Sequence, residues 1–237
     1  MAIFESLLKI VYHHLLTSTM TEKSTLLLLI SIALCCTQLT WGYSAKEDAR
    51  IIADYKRQLK FNPSELNHAQ IARKLVHQAN WASVGTISTN SMVKDYPMVN
   101  IISINDNDVD HKSTGRIRFL LTDLDFTGPD WQNNNKVTML FTDEQTLHCM
   151  HSRPIIDPME PTCQRVMISG QVIRMNKDDT SYDEALVSFV ERHPAAKNWL
   201  KAHKFYLCEL DIKNIFVLDY YGGPHNVATN DYYNVQL

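Results

Sequence analysis

From Trp81 to Asp219 the chain is written almost entirely in period two. WASVGTIS, MVNIISI, RIRFLLT, KVTMLFT, RVMISGQVIRM, FYLCELDI and IFVLD are short runs rich in β-branched and aromatic residues, separated by polar turn clusters. Strand side chains alternate between two faces, so each run can bury one face and leave the other for solvent or a second layer. So many strands, following one another so closely, predict a mainly antiparallel β domain. A closed or partly closed barrel with flanking helices fits this pattern better than a doubly wound sheet.

The flanking helices are read from a change of period. AKEDARIIADYKRQL and SELNHAQIARKLVHQA carry apolar residues at helical spacing, Ile71, Leu75 and Val76 among them, with Ser64 placed to cap the second. TSYDEALVSFVERH interrupts the strands: Ser181 and Glu184 have capping-box spacing, and Ala185, Leu186, Phe189 and Val190 form a stripe. Pro194 ends that helix by disfavouring helical geometry at His193. A short helix is expected around Asp130 to Asn133. No repeat or low-complexity linker divides the chain, which is read as a leader over 1–44, a helical segment over 45–66 and a barrel domain over 67–237.

The leader is the apolar run Leu26 to Cys36, followed by small residues at Thr40, Gly42 and Ser44 where signal peptidase could cut. The run falls short of the ~18–25 apolar residues that span a bilayer comfortably. It reads as a secretory signal with an upstream extension, Met20 being a more typical start. An uncleaved anchor is the alternative, disfavoured because Lys9 and Lys23 break the apolar stretch. A secreted or extracellular protein, free of the membrane once cleaved, is therefore expected. The net charge of −3 supplies no basic field for nucleic acid and no polybasic patch for an anionic membrane.

Past the leader, three cysteines remain: Cys149, Cys163 and Cys208. Oxidising conditions favour one pair. Cys149 and Cys163 bracket the proline-rich HSRPIIDPMEPT, so a disulfide closing that loop is expected. Cys208 shares a strand face with Tyr206 and Leu210 and reads as a buried thiol.

The motifs that could carry chemistry are thin. The pair Gly222–Gly223 in VLDYYGGP follows a strand but runs into Pro224 and HNVATNDYYN, which has no helical stripe; a phosphate cradle would need a helix there, so the pair reads as a turn. Asp106, Asp108 and Asp110 alternate like the start of a calcium loop, but His111 and Ile117 stand where glycine and glutamate are required, leaving a solvated hairpin tip. His148, Cys149, His151 and Cys163 could be read as zinc ligands, yet the spacing is irregular and oxidation would consume the thiols; no metal is expected. Arg192 and His193 could grip a phosphate or move a proton, or could simply complement the negative end of their helix. Thr122, Asp123 and Asp125 mark a polar strand end.

WASVGTIST with YPMVNIISIND, TDLDFTGPDWQNNNKVTMLFT, CQRVMISGQV, RHPAAKNW, and NIFVLDYYGGP with the closing YYNV together resemble the CREG family of secreted cellular repressors over about residues 70–237. The resemblance implies a six-stranded or similar antiparallel split β-barrel of the FMN-binding type, related to pyridoxamine-phosphate oxidases and forming a homodimer. It also implies a protein without oxidase activity whose flavin pocket is obstructed, so that no cofactor is expected. The insertion from Met150 to Thr162 is the candidate obstruction. The alternative is an FMN-dependent oxidoreductase with flavin at the dimer interface. Its candidate ligands are Ser103 and Ser169 on pocket-lining strands, Arg116 and Arg118 for charge, and Thr122 at a rim.

Family members travel the secretory and endolysosomal route, engage a sorting or cell-surface receptor, and restrain growth or promote differentiation. This chain departs from them in having no N-x-Ser/Thr sequon with an allowed middle residue, NPS at Asn62 being excluded by its proline. Tyr220, Tyr221, Tyr232 and Tyr233 offer contact area for a dimer or partner, or serve the core. A direct role on DNA conflicts with the leader and the acidic balance, so any effect on genes would be indirect.

Overall fold

In a computed structural model the described residues are 67–146, 149 and 157–237. The leader, the 45–66 helical segment and Ser64 lie outside them. Helix α1 (His68–Gln78) precedes β1 (Trp81–Ile87), β2 (Pro97–Asn107) and β3 (Ser113–Thr122). Helix α2 (Thr127–Asn133), β4 (Lys136–Thr142) and a 3-10 turn follow, then β5 (Arg165–Arg174), α3 (Thr180–Arg192) and α4 (Ala196–Ala202). The chain ends with β6 (Phe205–Leu218), the short β7 (His225–Val227) and α5 (Thr229–Asn234).

Every strand pairing is antiparallel, in the order β3-β2-β1-β4-β5-β6-β7, and β3 also pairs with β6. That extra pairing closes β1 to β6 into the expected six-stranded barrel. The expected runs FYLCELDI and IFVLD are one strand. Ser169 pairs with Asn214 and Gly170 with Ile212, so Lys213 is the extra residue of a bulge that shifts the alternation without ending the strand. The bend lets β6 change partners, with its first half on β3 and its end on β7.

The barrel interior is filled. Ile104, Ile117, Phe119, Met139, Phe141, Ile168, Leu210 and Ile215 are essentially inaccessible, each contributing about 1.5–3 kcal/mol by leaving water. Helix α1 touches five of the six barrel strands and gives Ala72, Leu75 and Val76 to the same core, so it closes one mouth. The cap differs from expectation: α1 is capped by Asn67, whose side chain accepts from the Gln70 N–H (3.0 Å). Cys208 is buried beside Tyr206 and Leu210, and burial pushes its thiol up to about 12.

A second cluster lies outside the wall, where α3 and α4 lay Tyr182, Ala185, Phe189 and Ala196 over Leu120 and Leu207. The expected capping box does not form. Helix α3 begins at Thr180, two residues too early for Ser181 to cap it, behind an Asp179 that makes no side-chain cap. Two short helices were not foreseen, α4 in AAKNW and α5 in HNVATNDYYN, because neither is long enough to display a stripe. Among the described residues no helix is long and apolar enough to cross a membrane.

Candidate functional site

The glycine pair does turn the chain. Gly222 and Gly223 have φ of 115° and 97°, the left-handed region where a side chain is strained, and they fold β7 back along β6. Arg192 and His193 prove structural. The Arg192 guanidinium donates to the carbonyls of His77 (2.7 Å) and Ala79 (2.8 Å), fastening the end of α1, and His193 Nε2 bonds the Ile104 carbonyl (2.8 Å). The hairpin tip needs correction at Asp106, which is wholly buried and bonded to His77 Nδ1 (3.0 Å) and the Ser113 hydroxyl (2.6 Å). It points inward because it continues the alternation of Ile102 and Ile104. Asp110 stays exposed.

The five residues proposed for a flavin do not converge. Ser169 projects from the outer face of β5, with its hydroxyl 2.8 Å from that of Thr138. Together with Gly85, Gln171, Lys136 and Lys213 they line an open groove of ≈ 540 Å³. Ser103 lies on β2 opposite Trp81, whereas the β2 residue that lines the groove is Pro97, paired with Ile87. Arg118 sits opposite Glu209, itself opposite Ile173. Ile173 is four residues beyond Ser169, about 13 Å along the strand. Thr122 accepts the Leu124 N–H at the end of β3 (3.3 Å).

The arginines are also engaged. Arg116 holds Glu209 through Nη2 (2.7 Å) and Nε (3.0 Å), and Arg118 Nε approaches the same carboxylate at 3.3 Å. The hydrogen bond that Arg116 donates to Glu209 raises its guanidinium above the ordinary value. The cations that line the groove with Ser169 are Lys136 and Lys213, which sequence reasoning missed. Lys136 is brought there by strand register and Lys213 by the bulge, where it pairs with Asp211 (2.6 Å).

The Cys149–Cys163 disulfide forms as expected, with Cα atoms 5.6 Å apart. It holds the end of the insertion offered as an obstruction. Residues 150–156 lie outside the described residues, and none of 157–162 lines the groove. That part is fastened elsewhere: Arg165 donates to the carbonyls of Pro158 (3.1 Å) and Met159 (2.8 Å), and Tyr221 to the Glu160 carboxylate (2.7 Å).

Beside the groove runs an apolar row. Pairing sets Ile101 beside Ser83, then Leu140, Met167 and Phe216, so one line of outward side chains crosses β2, β1, β4, β5 and β6. Ile101 is 61% exposed, Leu140 37% and Phe216 40%, with Val99 at 68% on the adjoining row.

Comparison with known proteins places this geometry. Residues 63–234 match the family model described as CREG, beta-barrel. Protein CREG1 of Mus musculus is 35% identical over 184 residues, 78% of this chain and 81% of that protein. Protein CREG1 of Homo sapiens is 35% identical over 175 residues, 74% and 77% of the two chains. Among solved structures the chain is similar to the heme binding protein from Mycobacterium smegmatis, with a TM-score of 0.54 at 15% identity over 71% of this chain and 61% of that one. Campylobacter jejuni ChuZ gives 0.52 at 12% identity over 71% and 63%. At such identities the shared feature is the barrel fold.

Proposed function

The chain belongs to the CREG family, and from that premise we propose that it is a secreted or endolysosomal homodimer without catalytic activity, acting through protein or receptor contacts in growth and differentiation control. The observation that carries this reading is the apolar row Ile101, Leu140, Met167 and Phe216 on the outer wall. Soluble monomers rarely expose large apolar patches, and this row is broken only by Ser83 on β1. A wall of paired strands suits a two-fold contact in which one patch meets its own copy. Engagement of Arg116 and Arg118 by Glu209 supports a non-flavin role, since those side chains were the charge expected for a phosphate.

A second reading, an FMN-dependent oxidoreductase, is favoured by one observation: Lys136, Lys213, Ser169 and Thr138 surround the same groove. Two ammonium groups and two hydroxyls are the donor types a phosphate accepts. Incubating purified protein with FMN and then passing it down a sizing column separates the readings. Colourless protein of two-chain mass supports the first, and yellow protein with one flavin per chain the second.

A further inference from the structure

Helix α1 is pinned at each end by a histidine against a carboxylate. At its C-terminal end His77 bonds Asp106, whose second oxygen accepts from Ser113 while Arg192 stands 3.6 Å away, so that contact is complete. At its N-terminal end His68 Nδ1 lies 2.8 Å from Asp219 Oδ2, and the bonding stops there. Asp219 Oδ1 and His225 Nε2 are buried, lie 4.0 Å apart and have no hydrogen-bond partner. The Asp219 side chain has no solvent exposure at all. A buried carboxylate oxygen facing an imidazole nitrogen across a gap too wide for a hydrogen bond is an arrangement in want of a third atom.

We propose that His68, Asp219 and His225 bind one divalent transition-metal ion, zinc by the character of the ligands. The three donor atoms lie within 4.8 Å of one another. Two donors sharing a zinc at ~2.0–2.1 Å stand at most about 4.2 Å apart, so the set must close in slightly to share one ion. Two imidazoles and one carboxylate suit zinc better than calcium or magnesium, which take all-oxygen shells. The rings of His68 and His225 are nearly parallel, 10° apart with centroids at 4.0 Å. In that stack the in-plane nitrogen lone pairs run side by side, so one ring turns out of the stack when both ligate a single ion.

The local chain path exists to make this meeting. Asp219 ends β6 and His225 begins β7, and the left-handed Gly222–Gly223 turn between them returns the chain onto the same edge that α1 approaches. Of the three ligands, His68 also borders a surface cleft of ≈ 670 Å³, together with Asn226 and Asp231. A bound ion would fasten the start of α1 to the last hairpin.

Chelator-treated protein titrated with zinc by calorimetry, and with cobalt(II) by visible absorption, tests this directly. One ion per chain is expected, with a tetrahedral or five-coordinate cobalt band. Both H225A and D219N should weaken binding at least ~100-fold and abolish that band. H225A removes a side chain that is 35% exposed on a short edge strand, so it decides the matter even where D219N fails to fold. The double variant H148A/H151A removes the competing ligands of the HCMH segment and should bind as the unmodified chain does. Zinc affinity unchanged in H225A, absent from the unmodified protein, or lost in H148A/H151A overturns the assignment.

Discussion

One barrel wall, two outer surfaces: over β3 and the start of β6 the outward apolar residues Leu120 and Leu207 are 8% and 0% exposed, because α3 and α4 lie on them. Across β2, β4 and the end of β6 the equivalent outward residues Ile101, Leu140 and Phe216 are 61%, 37% and 40% exposed. The alternation that produces them is the same. What differs is that, among the described residues, the chain supplies its own cover on one side only. Apolar residues on the covered side report folding, and on the reading proposed above those on the bare side report contact with a second copy.

The contrast breaks most visibly in the covered surface. Phe189→Ala removes a side chain with no exposure from beneath α3 and should cost about 3–5 kcal/mol in urea unfolding, without a selective effect on association. A cost below about 1 kcal/mol would mean the helical cover is loosely held. Next in size is the Cys149–Cys163 bridge between β4 and β5, two strands of the bare surface. Its chain separation is 14, and opening a loop of that length by Cys→Ser substitution should cost about 3 kcal/mol, read as a lowered unfolding midpoint while any dimer persists in native buffer.

On the bare surface Phe216→Glu should act the other way round. Dimer affinity should fall at least about 30-fold, the loss of ~2 kcal/mol typical of a hot spot. Monomer stability should move by less than about 0.5 kcal/mol, as for ordinary surface changes. Equal losses in both quantities would erase the distinction between the surfaces.

The smallest expected effect is a pH response confined to the covered side. Burial, and then the neighbouring Arg192, hold His193 below the ordinary histidine value against the opposing bond to Ile104. Its folded-state pKa is thus below its unfolded one, so stability is fully present above about pH 6.5 and lost as pH falls through the folded value. His193→Gln should flatten the slope of unfolding free energy between about pH 5 and 7. An unchanged slope would assign the acid sensitivity to another group.

The strands were legible because β-branched residues in period two leave little else for such segments to become, and the buried thiol at Cys208 followed from the same alternation. The union of two runs into β6 was hidden, since Lys213 and Asn214 break the pattern where a bulge absorbs one residue. Asp106 was misread for the opposite reason: its charged neighbours hide that it falls on the inward beat. Of the groove, Ser169 was visible and the lysines were not, because Lys136 and Lys213 become neighbours only through register. No spacing rule could join His68 to Asp219, which are 151 positions apart.

Sedimentation of the purified protein with added FMN, followed at once in the protein and flavin absorption bands, tests most directly whether the bare wall seats a second copy in a protein that carries no flavin. A single boundary of two-chain mass with no flavin absorbance moving in it is predicted. A one-chain boundary at tens of micromolar, or flavin travelling with the protein in stoichiometric amount, would contradict the account.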